Sequence, residues 1–383
     1  EVSSLILPFV SDNISSSAPG NRTLGYTILN SIIHAKWDDL INKFITQQLP
    51  SFLVDELDES TRCSQFSLIH TITLHYSREL SGPHFNRLMH ILLTALQDKE
   101  PIITSACLAL VSLCKNIPIG NNKDDYKETA ISPFVSEAIP HFLQAIKRTD
   151  TSLTNVWAAL YGIVEHAKAD SLKQIAALAP KLISSLRRCK MKEAALTCRE
   201  CRNMVSLMLV TIINRARQEI LPFADTLMIN YTRLMQESWC TIDSLLSVGE
   251  LAITQGINIE KYMTEFKPLL LSALRSKDHE TCGAAIGCAQ SLLLSCRDRF
   301  PFLEDIVQVT CSLIGSPTMN TENKVMLIDL LGDAAISLAC KFEQFLHSSM
   351  GVLALVPHHV ELFQMSLCHT YTSIVQSLKF KSV

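Results

Sequence analysis

The stretch "YMTEFKPLLLSALRSKDHETCGAAIGCAQSLLLSC" (residues 262–296) contains two helical patterns separated by a short polar break. In its first part apolar residues recur at helical spacing, as at Leu270 and Leu274. The second helix is predicted to begin near His279. It carries small residues at 283–287, which let a neighbouring helix approach closely. Because one such pair cannot bury its apolar face alone, we expect it to stack against similar pairs.

The same pattern of helix, polar break and helix continues along the chain. In "LIDLLGDAAISLACKFEQFL" (residues 327–346) a helix is followed by a break near Cys340 and by the start of another helix. Units of about forty residues are typical of HEAT and armadillo repeats. The predicted fold class is therefore all-α, an α-α superhelix of the HEAT or armadillo type. The predicted units are 1–36, 37–81, 82–120, 121–169, 170–217, 218–256, 257–298, 299–341 and 342–383.

The polar stretches between these units are short, which favours one continuous domain. The two longest, residues 11–22 and 117–125, are predicted to be loops that do not separate domains. Four prolines are expected near helix starts, where the missing N–H costs little: Pro101, Pro140, Pro222 and Pro301. We therefore expect residues 1–383 to form a single solenoid of about nine helical pairs. Since the first residue is Glu, we also expect the chain to be a fragment of a longer protein.

Composition and charge indicate which classes of protein and of partner are expected. The chain has 383 residues, 48% of them hydrophobic, and only 12 Gly, which favours a large helical core over disorder. The formal charge of −3 and the lack of a basic tail argue against nucleic acid as the main partner. Apolar runs are shorter than the roughly 20 residues that a spanning helix needs, so no membrane span is expected.

The 13 cysteines are predicted to be free thiols in a reducing compartment. Several lie within apolar helical patterns, where a thiol behaves as a small hydrophobe: Cys107, Cys114, Cys282, Cys288, Cys311, Cys340 and Cys368. Cys198 and Cys201 form a CxxC with Cys189 upstream, but a zinc site needs about four ligands. Since nucleotide-binding and hydrolase motifs are also missing, we expect no enzyme, metal or cofactor. A metalloprotein built on these three cysteines stays an alternative.

Four segments together resemble one family. They are "LQDKEPIITSACLALVSLCKNIP" (96–118), "LTNVWAALYGIVEHA" (153–167), "EKYMTEFKPLLLSAL" (260–274) and residues 327–346. The last segment contains Gly332-Asp333-Ala334-Ala335, then Phe342 and Phe345-Leu346, in the order of a motif of the importin-β (karyopherin-β) family. The chain is therefore identified as similar to the central and later HEAT repeats of that family.

The resemblance implies nuclear import and movement between cytoplasm and nucleus. It implies that the concave face binds a basic helical segment of an importin-α-like adaptor or of cargo. It also implies release by the GTPase Ran, whose main site is expected in repeats outside this chain, and binding of Phe-Gly nucleoporins between outer helices. A HEAT-repeat scaffold of the phosphatase or vesicle-coat type, with no import function, is the alternative.

Three groups of residues are candidate partner contacts. Leu108 stands where family members carry an inner-helix Trp, and Trp157, one repeat later, is predicted to stack on basic side chains unless it belongs to the core. Acidic residues of second helices are predicted to line the inner face unless they are solvated charges: Asp243, Glu250, Asp329 and Asp333. Aromatics at the starts of first helices are predicted to frame Phe-Gly grooves unless they only pack between repeats: Tyr262, Phe266, Phe300, Phe302, Phe342 and Phe345.

Overall fold

The computed structural model describes most of the chain. The described residues are 2–36, 41, 44–45, 56–76, 80, 85–117, 129–148, 153–190, 196–236, 240–254 and 257–379. Within them, the regular structure consists of α-helices joined by turns and short 3-10 helices, with no β-strand. No described helix combines the length and apolar character needed to cross a membrane.

The described helices follow one another with short connections. They are α1 (Val2–Ile14), α2 (Pro19–His34), α3 (Glu59–Tyr76), α4 (Phe85–Ala95), α5 (Glu100–Asn116), α6 (Val135–Arg148), α7 (Leu153–Glu165), α8 (Ala169–Ala176), α9 (Ala179–Lys190), α10 (Leu196–Ala216), α11 (Ala224–Gln236), α12 (Thr241–Ile253), α13 (Met263–Leu274), α14 (His279–Cys296), α15 (Leu303–Ile314), α16 (Thr321–Leu338), α17 (Leu346–Leu353) and α18 (Glu361–Lys379). Short 3-10 helices cover Ser132–Phe134, Arg217–Phe223, Glu260–Tyr262, Arg297–Arg299 and Ala339–Phe345.

The chain divides into two compact units. The first comprises residues 1–175 and 185–208, and the second comprises residues 176–184 and 209–383. In the first unit, α2, α3, α5 and α7 pack side by side, while α4 packs on α5 and α6 packs on α7. That the whole chain forms one continuous array stays a prediction.

The second unit has two layers of helices. A first-helix layer contains α11, α13, α15 and α17, each packed on the next. A second-helix layer contains α12, α14, α16 and α18, again in chain order. Because α11, α13 and α15 each pack on the helix that follows them, the apolar faces of the two layers meet in one core. The second-helix layer is the one that carries the acidic residues singled out above.

Two successive second helices of the second unit, α14 and α16, begin with a polar cap. Asp278 precedes α14 and accepts a hydrogen bond from the backbone N–H of Thr281 at 3.0 Å. Asn320 precedes α16 and accepts one from the N–H of Asn323 at 2.9 Å. Each cap satisfies an N–H group that the helix itself leaves free. The Asn323 amide also donates to the carbonyl of His279 at 2.9 Å, so the start of α16 is tied to the start of α14.

In the first unit, ion pairs connect two successive second helices each to the start of the next one. The Arg22 guanidinium on α2 donates to both carboxylate oxygens of Glu56, which lies just before α3, at 2.6 and 2.7 Å. One repeat later Arg62 on α3 pairs with Asp98, which lies just before α5. Asp58 caps α3 by accepting a bond from the N–H of Thr61 at 2.9 Å. An arginine of one second helix therefore reaches the acidic start of the next.

Two predictions about breaks were wrong. The predicted loop at 11–22 is mostly helical, because α1 continues to Ile14 and Pro19 starts α2 from its first position, where a proline fits. Pro140 lies inside α6 rather than at its start, since the 3-10 helix Ser132–Phe134 leads directly into α6 at Val135. Pro101 does lie at the start of α5, as predicted. The predicted loop at 117–125 lies outside the described residues after Ile117.

All described cysteines are free thiols. Burial raises the pKa of the Cys107, Cys114 and Cys288 thiols well above the usual range, as expected for inert core residues. Cys340 and Cys368 are exposed, which corrects their assignment to the core. Cys340 falls in the 3-10 joint after α16. Cys368 points away from the α16–α18 contact, because the helical period directs its neighbour Leu367 inward instead.

Candidate partner-binding surface

Two rows of carboxylates lie on the second-helix layer of the second unit. Asp243 and Glu250 are two turns apart on α12, and Asp329 and Asp333 are one turn apart on α16. All four side chains are half-buried. Since α14 packs between α12 and α16, the two rows flank that helix.

Two glycines, Gly283 and Gly287, lie on the half-exposed face of α14. A Cβ atom added at Gly287 would meet no other atom within 4 Å, so the backbone there is open. At Gly283 an added Cβ would lie 3.0 Å from the amide oxygen of Asn323, which places α16 close by. We call the surface of α14 around Gly287, between the two acidic rows, the trough.

The carboxylates of α16 are linked to α18. Asp333 Oδ1 lies 3.3 Å from Nε2 of His369. Burial raises the pKa of Asp329, an effect that the hydroxyl of Ser366 and the His369 ring partly oppose and that the charge of Asp333 reinforces. Gly332 permits the close packing, since an added Cβ would lie 3.1 Å from the Cα atom of Thr370 on α18. The acidic row on α16 is thus held in place by the next second helix.

Trp157 lies in the core of the first unit. Its side chain is only 3% exposed, on the buried face of α7. In the burial patterns of α5 and α7, Trp157 corresponds to buried Cys107, while half-exposed Leu108 corresponds to Ala158. Burial favours the packing alternative, because stacking on a partner's basic side chain needs an accessible ring face. A role of Trp157 in partner binding stays a prediction.

The aromatic residues of the first-helix layer are also buried. Phe266, Phe302 and Phe342 are at most 3% exposed. The rings of Phe300 and Phe302 lie 4.6 Å apart, and those of Phe342 and Phe345 lie 6.2 Å apart. These contacts fill the joints between repeats. Contact with Phe-Gly peptides stays a prediction for these residues.

Tyr262 is the half-exposed member of that aromatic group. Its hydroxyl donates to the carboxylate of Asp225 at 2.5 Å, and Lys261 Nζ lies 2.7 Å from the same carboxylate oxygen. The two contacts tie the start of α13 to the start of α11 across one repeat.

The metal-site alternative finds limited support. In the described part of the chain, no three His, Cys, Asp or Glu side chains converge as a metal site would require. Cys201 is buried, with its sulfur 3.0 Å from the hydroxyl oxygen of Thr154. The side chains of Cys189 and Cys198 lie outside the described residues. His90 pairs instead with Glu137, whose Oε1 lies 3.0 Å from the histidine Nδ1.

Comparison with known proteins matches this chain to importin-β-like proteins. A family model described as importin subunit beta-1-like, TPR repeats, matches residues 87–378. Importin subunit beta-1 of Saccharomyces cerevisiae is 22% identical over 364 residues, which cover 91% of this chain and 42% of that protein. Importin subunit beta-1 of Arabidopsis thaliana is 21% identical over 376 residues and is also covered to 42%. The chain therefore spans less than half the length of these curated relatives.

A solved structure of Kap95p with RanGDP superposes on this chain with a TM-score of 0.84. It is 20% identical, and the match covers 98% of this chain and 46% of the other. A structure of a Kap95:Nup1 complex matches with a TM-score of 0.68 at the same identity and coverage. The likeness to these solenoids confirms the predicted all-α HEAT-type superhelix.

Proposed function

The chain belongs to the importin-β family, and from that premise we propose that it is part of a nuclear transport receptor whose second-helix layer binds a basic segment of cargo or of an importin-α-like adaptor. The trough over α14 carries the proposal. Its two rows of carboxylates, Asp243 with Glu250 and Asp329 with Asp333, flank an uncovered helical backbone. A Lys/Arg-rich segment matches that charge and can approach α14 without meeting side chains at Gly287.

Binding would be the sum of several partly screened contacts. Each exposed ion pair contributes little, typically about 0 to 1 kcal/mol. Four carboxylates on two rows could together supply a few kcal/mol and a fast, charge-steered association. Such binding weakens as salt rises, because screening shortens the reach of exposed charges to about 8 Å at physiological ionic strength.

Fluorescence anisotropy tests the proposal directly. A labelled, helix-forming Lys/Arg-rich peptide is titrated with the 383-residue chain at about 50 and 200 mM salt. One double variant, Asp243→Asn with Glu250→Gln, neutralises the row on α12, and Asp329→Asn with Asp333→Asn neutralises the row on α16. We expect each to weaken binding about tenfold, which corresponds to about 1.4 kcal/mol.

A matched control removes the same charge elsewhere in the unit. Glu219 precedes α11 and Glu265 lies on α13, and both are exposed outside the second-helix layer. The double variant Glu219→Gln with Glu265→Gln should leave the affinity within about twofold, because neither residue belongs to the second-helix layer that forms the trough. Equal loss in all three variants would show non-specific attraction to an acidic protein and would refute the assignment of the trough.

Two further partners are proposed from the relatives. Solved Kap95p structures contain RanGDP in one case and Nup1 in another. We propose that this chain contributes to Phe-Gly nucleoporin binding through the first-helix layer, and that the longer protein binds Ran mainly through repeats outside it. Movement between cytoplasm and nucleus follows from the same proposal.

Pull-down with Phe-Gly peptides and with Ran loaded with GTP tests these partners. Failure of both the basic peptide and the Phe-Gly peptides would favour the scaffold alternative, whereas failure to bind Ran alone would not, because its main site is proposed outside this chain. A scaffold of the phosphatase or vesicle-coat type would share the superhelix without binding any of the three.

A further inference from the structure

A second surface lies where the second helices end. The carboxyl ends of α12, α14 and α16 each expose one large apolar side chain, about forty residues apart along the chain. These are Ile253, Leu294 and Ile336, with 48%, 65% and 49% of their surface exposed. In ordinary solenoid packing such residues would be polar, so an apolar row at equivalent positions of three successive pairs marks a contact surface.

Two adjoining pockets flank Leu294, the middle residue of this row. A pocket of about 700 Å³ lies between the ends of α12 and α14 and includes Ile253, Arg297 and Arg299. A pocket of about 540 Å³ lies between the ends of α14 and α16 and includes Ile336 and Arg297. Leu294 and Arg297 line both pockets. We call the two pockets together the helix-end groove.

The charged side chains that line the helix-end groove are Glu260, Arg297, Arg299 and Asp333, and three of the four have partners. Arg299 is paired with Glu260 at 3.1 Å, and Asp333 lies 3.3 Å from the His369 ring. Arg297 is exposed, and its side chain makes no hydrogen bond or ion pair to any described residue. Its guanidinium is therefore available to a carboxylate, which it can hold through two parallel hydrogen bonds.

The joint after α14 does not itself need an arginine. Arg297 adopts φ 49° and ψ −124°, and Ala339 adopts φ 48° and ψ −129° at the equivalent joint after α16. Because alanine occupies the same unusual backbone conformation one repeat later, the guanidinium has no evident role in making the turn. Its position on both pockets is then better explained by a ligand.

We propose that the helix-end groove binds a peptide segment in which a large apolar side chain is flanked by carboxylates. The apolar side chain enters the pocket between α14 and α16, against Leu294 and Ile336. A neighbouring carboxylate pairs with Arg297. This ligand is opposite in charge to the basic segment proposed for the trough, so the two surfaces select different chemistry.

Three labelled peptides separate the possible occupants. They share a Leu-Phe centre and differ in flanks: GSDEDLFEDGS is acidic, GSNQNLFQNGS is neutral and GSKRKLFKRGS is basic. Each is titrated by anisotropy against the 383-residue chain. We expect the acidic peptide to bind about tenfold more tightly than the neutral one, in the range that a charged pair of hydrogen bonds to Arg297 allows.

Variants locate the site. Arg297→Ala should weaken the acidic peptide about fivefold or more, and Arg297→Glu should abolish its preference over the neutral peptide. Leu294→Ala should weaken the acidic and neutral peptides alike, by about fivefold, since it removes apolar contact area. Arg275→Ala and Leu246→Ala are the matched controls, because both residues are exposed in the same unit but line neither pocket.

The outcomes are decisive in each direction. Loss in the two groove variants with none in the controls supports the proposal. Tighter binding of the basic or neutral peptide, equal effects in groove and control variants, or no acidic-peptide binding at about 1 mM overturns it. Asp333 lines the groove as well as the trough, so the trough is tested separately with its own basic peptide and with the α12 variant, whose two residues line neither pocket. One surface can therefore fail while the other stands.

Discussion

Replacing Glu56 by Gln should remove a buried ion pair that holds α2 against the start of α3. The Glu56 side chain is 3% exposed, and both of its oxygens accept bonds from Arg22. The same guanidinium donates to the carbonyls of Ser16 and Ser17 at 3.0 and 2.9 Å, so Arg22 is fixed at the centre of a network. Glutamine can keep one acceptor but loses the negative charge beside a largely buried cation.

The expected cost is about 2 kcal/mol. Hydrogen bonds to charged groups contribute about 1.5–3 kcal/mol each, against about 0.5–1.5 for neutral ones. Glu56→Gln exchanges two charge-assisted hydrogen bonds for one neutral hydrogen bond and one contact between two N–H donors. The free energy of unfolding should fall by an amount of that order, reduced because Arg22 keeps some contact with solvent. Glu59→Gln is the matched control. It breaks the Lys99–Glu59 pair, which is exposed on both sides, and should cost less than about 0.5 kcal/mol.

The effect should depend on pH. Hydrogen bonds from Arg22 hold the pKa of Glu56 below its usual range. A carboxyl group whose pKa is depressed by folding stabilises the folded state above its unfolded pKa, about 4.3, and this contribution is lost as pH falls through the folded pKa. The difference between the native chain and Glu56→Gln should therefore be full at pH 7 and should shrink toward pH 3.

Hydrogen exchange of amides in α2 and α3 at pH 7, together with urea unfolding at pH 7 and at lower pH, measures the effect. Local exchange is the better readout, because stacked repeats can unfold in parts. If Glu56→Gln and Glu59→Gln had equal effects, or if the loss persisted unchanged at pH 3, the ion-pair argument would be wrong.

Four other substitutions test packing and backbone strain. Gly332→Ala should destabilise the folded chain by about 1–3 kcal/mol, because the added Cβ would meet the Thr370 backbone. Gly287→Ala should stabilise it by up to about 1 kcal/mol, since the added Cβ enters open space in a helix. Thermal melts of the two variants show the sign of each change. Ala339→Gly should stabilise the folded chain by about 1 kcal/mol, because glycine adopts the positive φ of this position without strain. The urea unfolding midpoint should rise, and an unchanged or lower midpoint would contradict the argument from strain. Trp157→Ala should cost about 3–5 kcal/mol in urea unfolding, and a well-folded variant with weaker peptide binding would restore Trp157 as a contact residue.

Sequence alone could predict the pairing of helices because their apolar period is local. The break before His279 and the break at Cys340 both follow from polar or helix-ending residues next to apolar runs, and both occur as predicted. The run at 11–22 was misread because its Ser and Asn residues suggested a loop, while Pro19 could equally start a helix. Single residues of mixed preference do not fix a boundary.

The sites were harder to predict, because exposure depends on neighbours that sequence spacing does not reveal. Trp157 and Leu108 lie at similar positions along their helices. Their positions differ by one residue in the burial pattern, however, and this places the Trp157 side chain in the core and leaves Leu108 half-exposed. The aromatics of the first-helix layer are buried for the same reason. The helix-end groove was missed altogether. Its signal was present as apolar residues at equivalent ends of three successive helices, but only the structure shows that no neighbour covers them.

The spacing of the acidic rows favours a helical ligand in the trough. Packed helices lie about 8–10 Å apart, so α12 and α16 are separated by about 16–20 Å across α14. A helix with its side chains is about 10–12 Å wide and would reach both rows from above Gly287. An extended strand, about 5 Å wide in its own plane, would reach only one row at a time. Long Lys and Arg side chains on opposite faces of one helix therefore match Asp243 and Glu250 on one side and Asp329 and Asp333 on the other, which is why a helix-forming basic peptide is the probe of choice.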